Sequence, residues 1–255
     1  MTLRMFPPRM ASKKAKKSSS SLLENGKTII YAGLIALVIR TFLFEPFNIP
    51  SGSMIPTLLV GDYLFVSKFS FGYSQYSFPF SPDLFSGRIL GSVPHRGEVV
   101  VFRYPPDPSE DYIKRVIGLP GDRVQVTDGQ LYINGQEVPR QPTGEYVTNE
   151  EGIHLELRRY IENLPGGVNH YILKATDQGE ANNTPQYVVP PHQLFVLGDN
   201  RDNSADSRFW GFVPMQNLVG AADVIFFSFT AQYPWWEFWE WPFEIRWDRI
   251  GMVIH

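Results

Sequence analysis

The chain contains no cysteine. That excludes disulfides, thiol catalysis and cysteine metal sites together, but not an extracytoplasmic location, where proteins also exist without disulfides. Histidine is scarce: the five are His95, His154, His170, His192 and His255. None stands in a triad-like motif, and neither G-x-S-x-G nor H-E-x-x-H occurs. A histidine-based serine triad is therefore disfavoured, and these histidines read as solvated loop residues. The acidic run DNRDNSADSR, Asp199 to Arg208, is not a calcium loop, because Ser207 and Val213 stand where glycine and a bidentate glutamate are needed. No metal and no cofactor are expected. The net charge of −3 carries no basic footprint for nucleic acid. After Phe44 no long stretch shows helical periodicity.

The chain does have one long apolar run. A lysine cluster, Lys13, Lys14, Lys16 and Lys17, precedes Ser18 to Ser21, and this part reads as disordered. Then comes TIIYAGLIALVIRTFLF, Thr28 to Phe44. A helix of this length rises roughly 25 Å, slightly less than a ~30 Å hydrocarbon core. Arg40 lies late in the run and could snorkel toward the interface. A cleaved signal peptide is the alternative, but no A-x-A pattern follows and Glu45, Pro46 and Phe47 make a poor cleavage site. The run is therefore expected to be an uncleaved transmembrane anchor. Lysines before it stay in the cytoplasm, so the chain after Phe44 lies outside the membrane.

The remainder reads as mainly β. GDYLFVSKF (Gly61 to Phe69), GEVVVFRY (Gly97 to Tyr104), QLFVLGD (Gln193 to Asp199) and AADVIFFSF (Ala221 to Phe229) are β-branched and aromatic runs bounded by turn residues. DRVQVTDGQLYINGQEV, Asp122 to Val138, holds two hairpin dipeptides, Asp128-Gly129 and Asn134-Gly135. The 21 prolines fit many short strands. Phe71 to His95 reads as a long loop. Arg140 to Pro190 is more polar and reads as an inserted smaller lobe. The segment PWWEFWEWPF, Pro234 to Phe243, fits either a membrane interface or a packed aromatic edge.

With histidine and metal set aside, serine needs another base. A lysine serves only when neutral, and at its ordinary pKa about one in a few thousand is neutral at pH 7. Burial lowers that pKa. A drop of two units costs about 2.7 kcal/mol, which a packed β domain can sustain. The candidate base is thus a lysine in an apolar strand: Lys114 in DYIKRVIGLPGD, or its rival Lys68 in LFVSKF. The candidate nucleophile lies in IPSGSMIPTL, Ile49 to Leu58, just after the anchor.

Taken in order, IPSGSMIPTL, GDYLFVSKF, RGEVVVFRYP, DYIKRVIGLPGD and GDNRDNSADSRFWGFVP resemble the bacterial type I signal peptidases, membrane-anchored serine proteases that remove signal peptides. The resemblance runs from about Glu45 to Pro214. It implies Ser53 as nucleophile, Lys114 as general base, and Ser51 with the Ser53 amide as oxyanion hole. It implies Ser204 as the hydroxyl that orients the lysine ammonium, and Asp206 and Arg208 as a supporting ion pair. Phe47, Ile49, Pro50, Met54, Leu58, Leu64, Val101, Tyr112 and Ile113 would line shallow pockets for the small residues of an A-x-A site. Substrate would lie along the Asp111–Lys114 strand by strand addition.

The implied organisation is a basic cytoplasmic tail (1–27), a single N-terminal transmembrane helix (28–44), an extracytoplasmic antiparallel β domain of the signal-peptidase type (45–139 and 191–255) and the inserted lobe (140–190). The implied partners are preprotein signal peptides and the lipid bilayer, with the chain acting as a monomer in a bacterial plasma membrane, its N-terminus cytoplasmic and its catalytic domain periplasmic. Three other readings compete: a peptidase dedicated to one pilus or conjugation protein, a non-catalytic membrane-anchored binding domain, and a self-cleaving repressor, for which no DNA-binding domain is present.

Overall fold

A computed structural model describes residues 18–78, 81–82, 85–150, 153–230 and 241–255. The Trp-rich segment for which an interfacial role is expected lies mostly outside these residues. The chain divides into two compact units, one ending at Ile39 and one running from Arg40 to His255.

The expected helix is present as α1 (Ser18–Phe42). Its Ile29, Ile30, Tyr31, Leu34, Ile35, Leu37, Val38 and Ile39 side chains are exposed, so the apolar surface is spread around the helix rather than gathered on one stripe. The charge-free stretch between Lys27 and Arg40 rises only about 18 Å. Among the described residues no helix is long and apolar enough to cross a membrane. The helix also stops before the expected limit, because Phe44 already belongs to a strand.

The second unit is built of strands: β1 (Phe44–Asn48), β2 (Asp62–Ser67), β3 (Val99–Arg103), β4 (Asp111–Gly118), β5 (Arg123–Thr127), β6 (Gln130–Ile133), β7 (Gln136–Glu137), β8 (Arg140–Glu150), β9 (Ile153–Leu164), β10 (Val168–Lys174), β11 (Tyr187–Val188), β12 (Gln193–Leu197), β13 (Val213–Pro214) and β14 (Leu218–Ser228). They form a seven-stranded sheet in the order β1-β2-β14-β3-β4-β12-β13, a four-stranded sheet β11-β5-β6-β7 and a three-stranded sheet β10-β9-β8. Every ladder in them is antiparallel.

The long sheet is buried on both faces, which explains why its central strands are almost unbroken apolar runs. Along β3, Val99 and Val101 enter one core with Met54, Leu58, Leu64 and Ile225. Val100 and Phe102 enter another with Val116, Val196 and Leu218. Along β12, Phe195 and Leu197 join a third core that closes the four-stranded sheet. The hairpin dipeptides act as their chemistry dictates: Asp128, Gly129, Asn134 and Gly135 all take positive φ, as the tight two-residue turn that matches strand twist requires.

The polar stretch after Arg140 holds the three-stranded sheet. Its strands escape a simple pattern search because polar and charged side chains occupy interior positions: Glu162, His170 and Lys174 are buried. The expectation that the histidines are solvated is corrected at His170, which is only 5% exposed.

Leu64 is fully buried in the first core. Leu64→Ala should cost about 2–5 kcal/mol, read as a lowered urea midpoint in tryptophan fluorescence. An unchanged midpoint would contradict this packing.

Candidate active site

The Ser53 turn is fixed from both ends. Ser51 is extended (φ −130, ψ 152) and leads into a one-turn 3-10 helix, Gly52–Met54. Met54 and Leu58 are fully buried and anchor the turn in the core, and the Leu58 amide donates to the Met54 carbonyl at 3.0 Å. The first amides of such a turn lack intrahelical acceptors, which leaves the Ser53 N–H suited to an incoming oxyanion. From the opposite side, Asn200 donates its amide to the Ser53 carbonyl and its side-chain nitrogen to the Gly52 carbonyl, both at 3.1 Å. Gly198 presses on the same carbonyl: a Cβ there would lie 2.5 Å from it, so any side chain would displace the turn.

Lys114 arrives from β4. Its Nζ donates to Ser53 Oγ at 2.7 Å and to the Ile113 carbonyl at 2.9 Å, and it lies 5.4 Å from the Tyr112 ring centre. The residue is 4% exposed. Burial pushes its pKa down from 10.5 to about 8, against an upward pull from Asp206 and Asp199. At that value about one lysine in ten is neutral at pH 7. The same burial costs the folded state about 3 kcal/mol below pH 8, a penalty relieved as pH rises from about 8 to 10.5. Ser51 Oγ stands 3.4 Å from Ser53 Oγ.

Ser204 departs from expectation. Its Oγ is buried and has no hydrogen-bond partner among the described residues, so the expected bond to the lysine ammonium is not made. The hydroxyl packs instead against Gly198, where a Cβ would meet it at 2.3 Å. The rival Lys68 is bonded elsewhere, to Glu45 at 2.8 Å and the Ser77 carbonyl at 2.8 Å. Among the described residues no histidine bonds to Ser53 or Lys114.

Two buried ion pairs stand behind the serine and lysine. Arg208 grips Asp206 through Nε and Nη2, each at 2.8 Å, and Asp206 also accepts from the Gly198 amide at 3.1 Å. Asp206 caps the short helix α2 (Ser207–Trp210) as well. Arg115 grips Asp199 at 2.9 and 2.7 Å, and Thr57 donates to the same carboxylate. Burial works against the charged form of Asp199, but Arg115 and Thr57 outweigh it and hold the carboxyl below its usual range. The sequence reading missed Arg115, Thr57 and Gly198. The one signal for Arg115 was its place beside the lysine, where strand alternation sends it to the opposite face.

A cleft of about 550 Å³ opens at the serine, lined by residues 47–53 and 110–114 with Val101, Asn203 and Ala205. Of the pocket residues expected from the sequence, Phe47, Ile49, Pro50, Val101, Tyr112 and Ile113 line it. Met54, Leu58 and Leu64 do not: each is 0% exposed and forms the core beneath the wall. Asn203, Ala205 and Glu110 were not anticipated. β4 pairs with β3 from Asp111 to Arg115, but with β12 only from Arg115 onward. Among the described residues, the β12-side edge between Asp111 and Lys114 therefore lacks a strand partner, beside the cleft.

A serine hydroxyl bonded to a buried lysine in a strand-edged apolar cleft is an arrangement suited to hydrolysing extended peptides. The family model for signal peptidase, peptidase S26, matches residues 22–227. Signal peptidase I of Rickettsia typhi is 42% identical over 231 residues, 87% of this chain and 85% of that protein. Signal peptidase I of Rickettsia conorii is 46% identical over 213 residues, 80% and 78% of the two chains. The crystal structure of a signal peptidase I from Enterococcus faecalis V583 is 28% identical, covers 51% of this chain and 97% of its own, and has a TM-score of 0.31. The chain belongs to the signal peptidase family, peptidase S26, and is a serine peptidase.

Arg115 is fully buried against Asp199. Arg115→Met should cost about 3–5 kcal/mol by leaving that carboxylate buried without its partner, seen as a lowered thermal midpoint. A loss below 1 kcal/mol would show that Asp199 finds another partner.

Proposed function

We propose that the chain is a membrane-held bacterial endopeptidase that removes N-terminal signal peptides from exported preproteins, cutting after the small residues of an A-x-A site. Ser53 is the nucleophile and Lys114 the general base. One observation carries this assignment: the 2.7 Å hydrogen bond from Lys114 to Ser53, made by a lysine whose pKa burial has lowered to about 8.

In the neutral state Lys114 accepts the Ser53 proton as Oγ attacks the scissile carbonyl, then passes it to the leaving amine. The Ser53 amide and the Ser51 hydroxyl stabilise the oxyanion; losing one such donor typically costs about 3 kcal/mol of barrier. Water then resolves the acyl-enzyme by the same base. The preprotein binds as an added strand on the free edge of Asp111–Lys114. Its alternate side chains enter the shallow apolar wall of Phe47, Ile49, Val101 and Ile113. Size exclusion by that wall, rather than strong attraction, selects small residues. Ser204 contributes by packing behind the turn, and Asp206–Arg208 holds Gly198 in place.

Attachment to the bilayer is part of this proposal. α1 exposes apolar side chains all round, and Lys27 and Arg40 at the ends of its charge-free stretch would snorkel to extend its reach. Alkaline carbonate extraction of cell membranes should leave the chain in the pellet; its release would rule out α1 as an anchor.

Cleavage of a purified preprotein, with the new N-terminus sequenced, tests the chemistry. Ser53→Ala and Lys114→Ala should each abolish the cut. In the wild type kcat/KM should rise with pH through about 8, because the base works only when deprotonated. A profile flat from pH 6 to 9, or an active Lys114→Ala enzyme, would remove the lysine from the mechanism.

A further inference from the structure

Asn200 is the residue that holds the Ser53 turn, and both of its chain neighbours are bolted down. On one side Asp199 is gripped by Arg115. On the other, Arg201 donates Nη1 to Glu162 Oε1 at 2.9 Å and Nη2 to Glu162 Oε2. Glu162 is 1% exposed and lies on β9, within the three-stranded sheet. The backbone completes the strap: the Leu173 amide of β10 donates to the Asp199 carbonyl at 2.9 Å, and the Arg201 amide donates to the Leu173 carbonyl at 3.0 Å. The Arg201 carbonyl in turn accepts from Arg208, the partner of Asp206. Through Leu173 and Arg201 the sheet thus touches both ion pairs behind the serine and lysine.

His170, opposite Glu162 in the β10–β9 register, sits between the two ion pairs. Its Nε2 is 3.5 Å from Glu162 and 3.9 Å from Asp199. Neither ring nitrogen has a hydrogen-bond partner among the described residues. Burial pushes its pKa down to about 4, with Asp199 and Glu162 pulling up and Arg115 and Arg201 pushing down. It is therefore a neutral spacer at ordinary pH, and among the described residues Glu162 is the one carboxylate bonded to Arg201.

A buried ion pair adds little net stability over an apolar pair of the same shape. A fork-to-fork arginine–carboxylate contact does fix direction. We propose that Glu162 is a positioning residue for the Ser53 turn, acting through Arg201 and Asn200 to hold the serine against Lys114. This rests on the Ser53–Lys114 assignment above.

The test is a double-mutant cycle on the full chain in detergent, with preprotein cleavage followed from pH 6 to 10 and rates normalised to the folded fraction by near-UV circular dichroism. The proteins are wild type, Glu162→Gln, Asn200→Ala, the double variant and Ser53→Ala. Glu162→Gln should lower kcat about tenfold with KM within about twofold, since small misplacements of reacting atoms carry losses of this order. Its acid limb should move to higher pH, as loosening admits water to Lys114. The double variant should be no slower than Asn200→Ala, because both changes act on one contact. Losses that multiply, or a Glu162→Gln enzyme of wild-type kcat and pH profile beside an inactive Ser53→Ala, would overturn the proposal. Cleavage by Ser53→Ala would instead overturn the underlying assignment. Should Glu162→Gln not fold, Glu162→Asp, which withdraws the carboxylate by one methylene, takes its place with the same expected order of rates.

Discussion

The structure depends on keeping one lysine amine dry while holding it against a hydroxyl. Water would raise the Lys114 pKa again and shrink the neutral fraction that, on the proposed assignment, takes the Ser53 proton. Exclusion of water destabilises the charged form, and the surrounding packing must supply that free energy. Met54, Leu58, Leu64 and Val101 form the floor, Tyr112 and Ile113 flank the amine, and the Ile113 carbonyl takes one of its hydrogens. The apolar strands thus set the acidity of the site as well as the stability of the fold.

The carboxylates nearby fit this constraint. Asp206 and Asp199 each attract the ammonium and pull the Lys114 pKa upward. Each is occupied by its own arginine, Arg208 and Arg115, both almost fully buried. The carboxylates keep their structural hydrogen bonds to the Gly198 amide and to Thr57. Burial outweighs their pull on Lys114, so acidic residues brace the turn without undoing the downward shift of the lysine pKa.

Much of this was legible in the sequence. The strands at 62–67, 99–103, 193–197 and 218–228 stand where β-branched runs announced them, since burial on both faces leaves unbroken apolar stretches. The Ser53 and Lys114 stretches stand out by their setting, one between prolines and one among apolar strand residues, but Lys68 is a rival on that ground and the choice comes from the family resemblance. What was hidden depends on tertiary partners. Met54, Leu58 and Leu64 lie close enough to the cleft in sequence to be taken for its lining, and only the curl of the sheet puts them underneath. Ser204 stands in the right block, but its hydroxyl faces Gly198. Glu162 and His170 sit in a stretch whose polarity reads as solvent exposure, whereas Glu162 is paired inside the protein with Arg201, far away in sequence, and His170 is buried neutral beside it.

The unpaired run of β4 beside the cleft has a consequence for solution behaviour. A strand with free amides and carbonyls invites any extended chain, including the same strand of a neighbouring molecule, and such edges are where sheet proteins stick together. Here the run is short, recessed between residues 47–53 and the Asn203–Ala205 loop, and begins at Asp111, just after Glu110. A short, recessed edge with a carboxylate at its start is a poor template for sheet-to-sheet pairing.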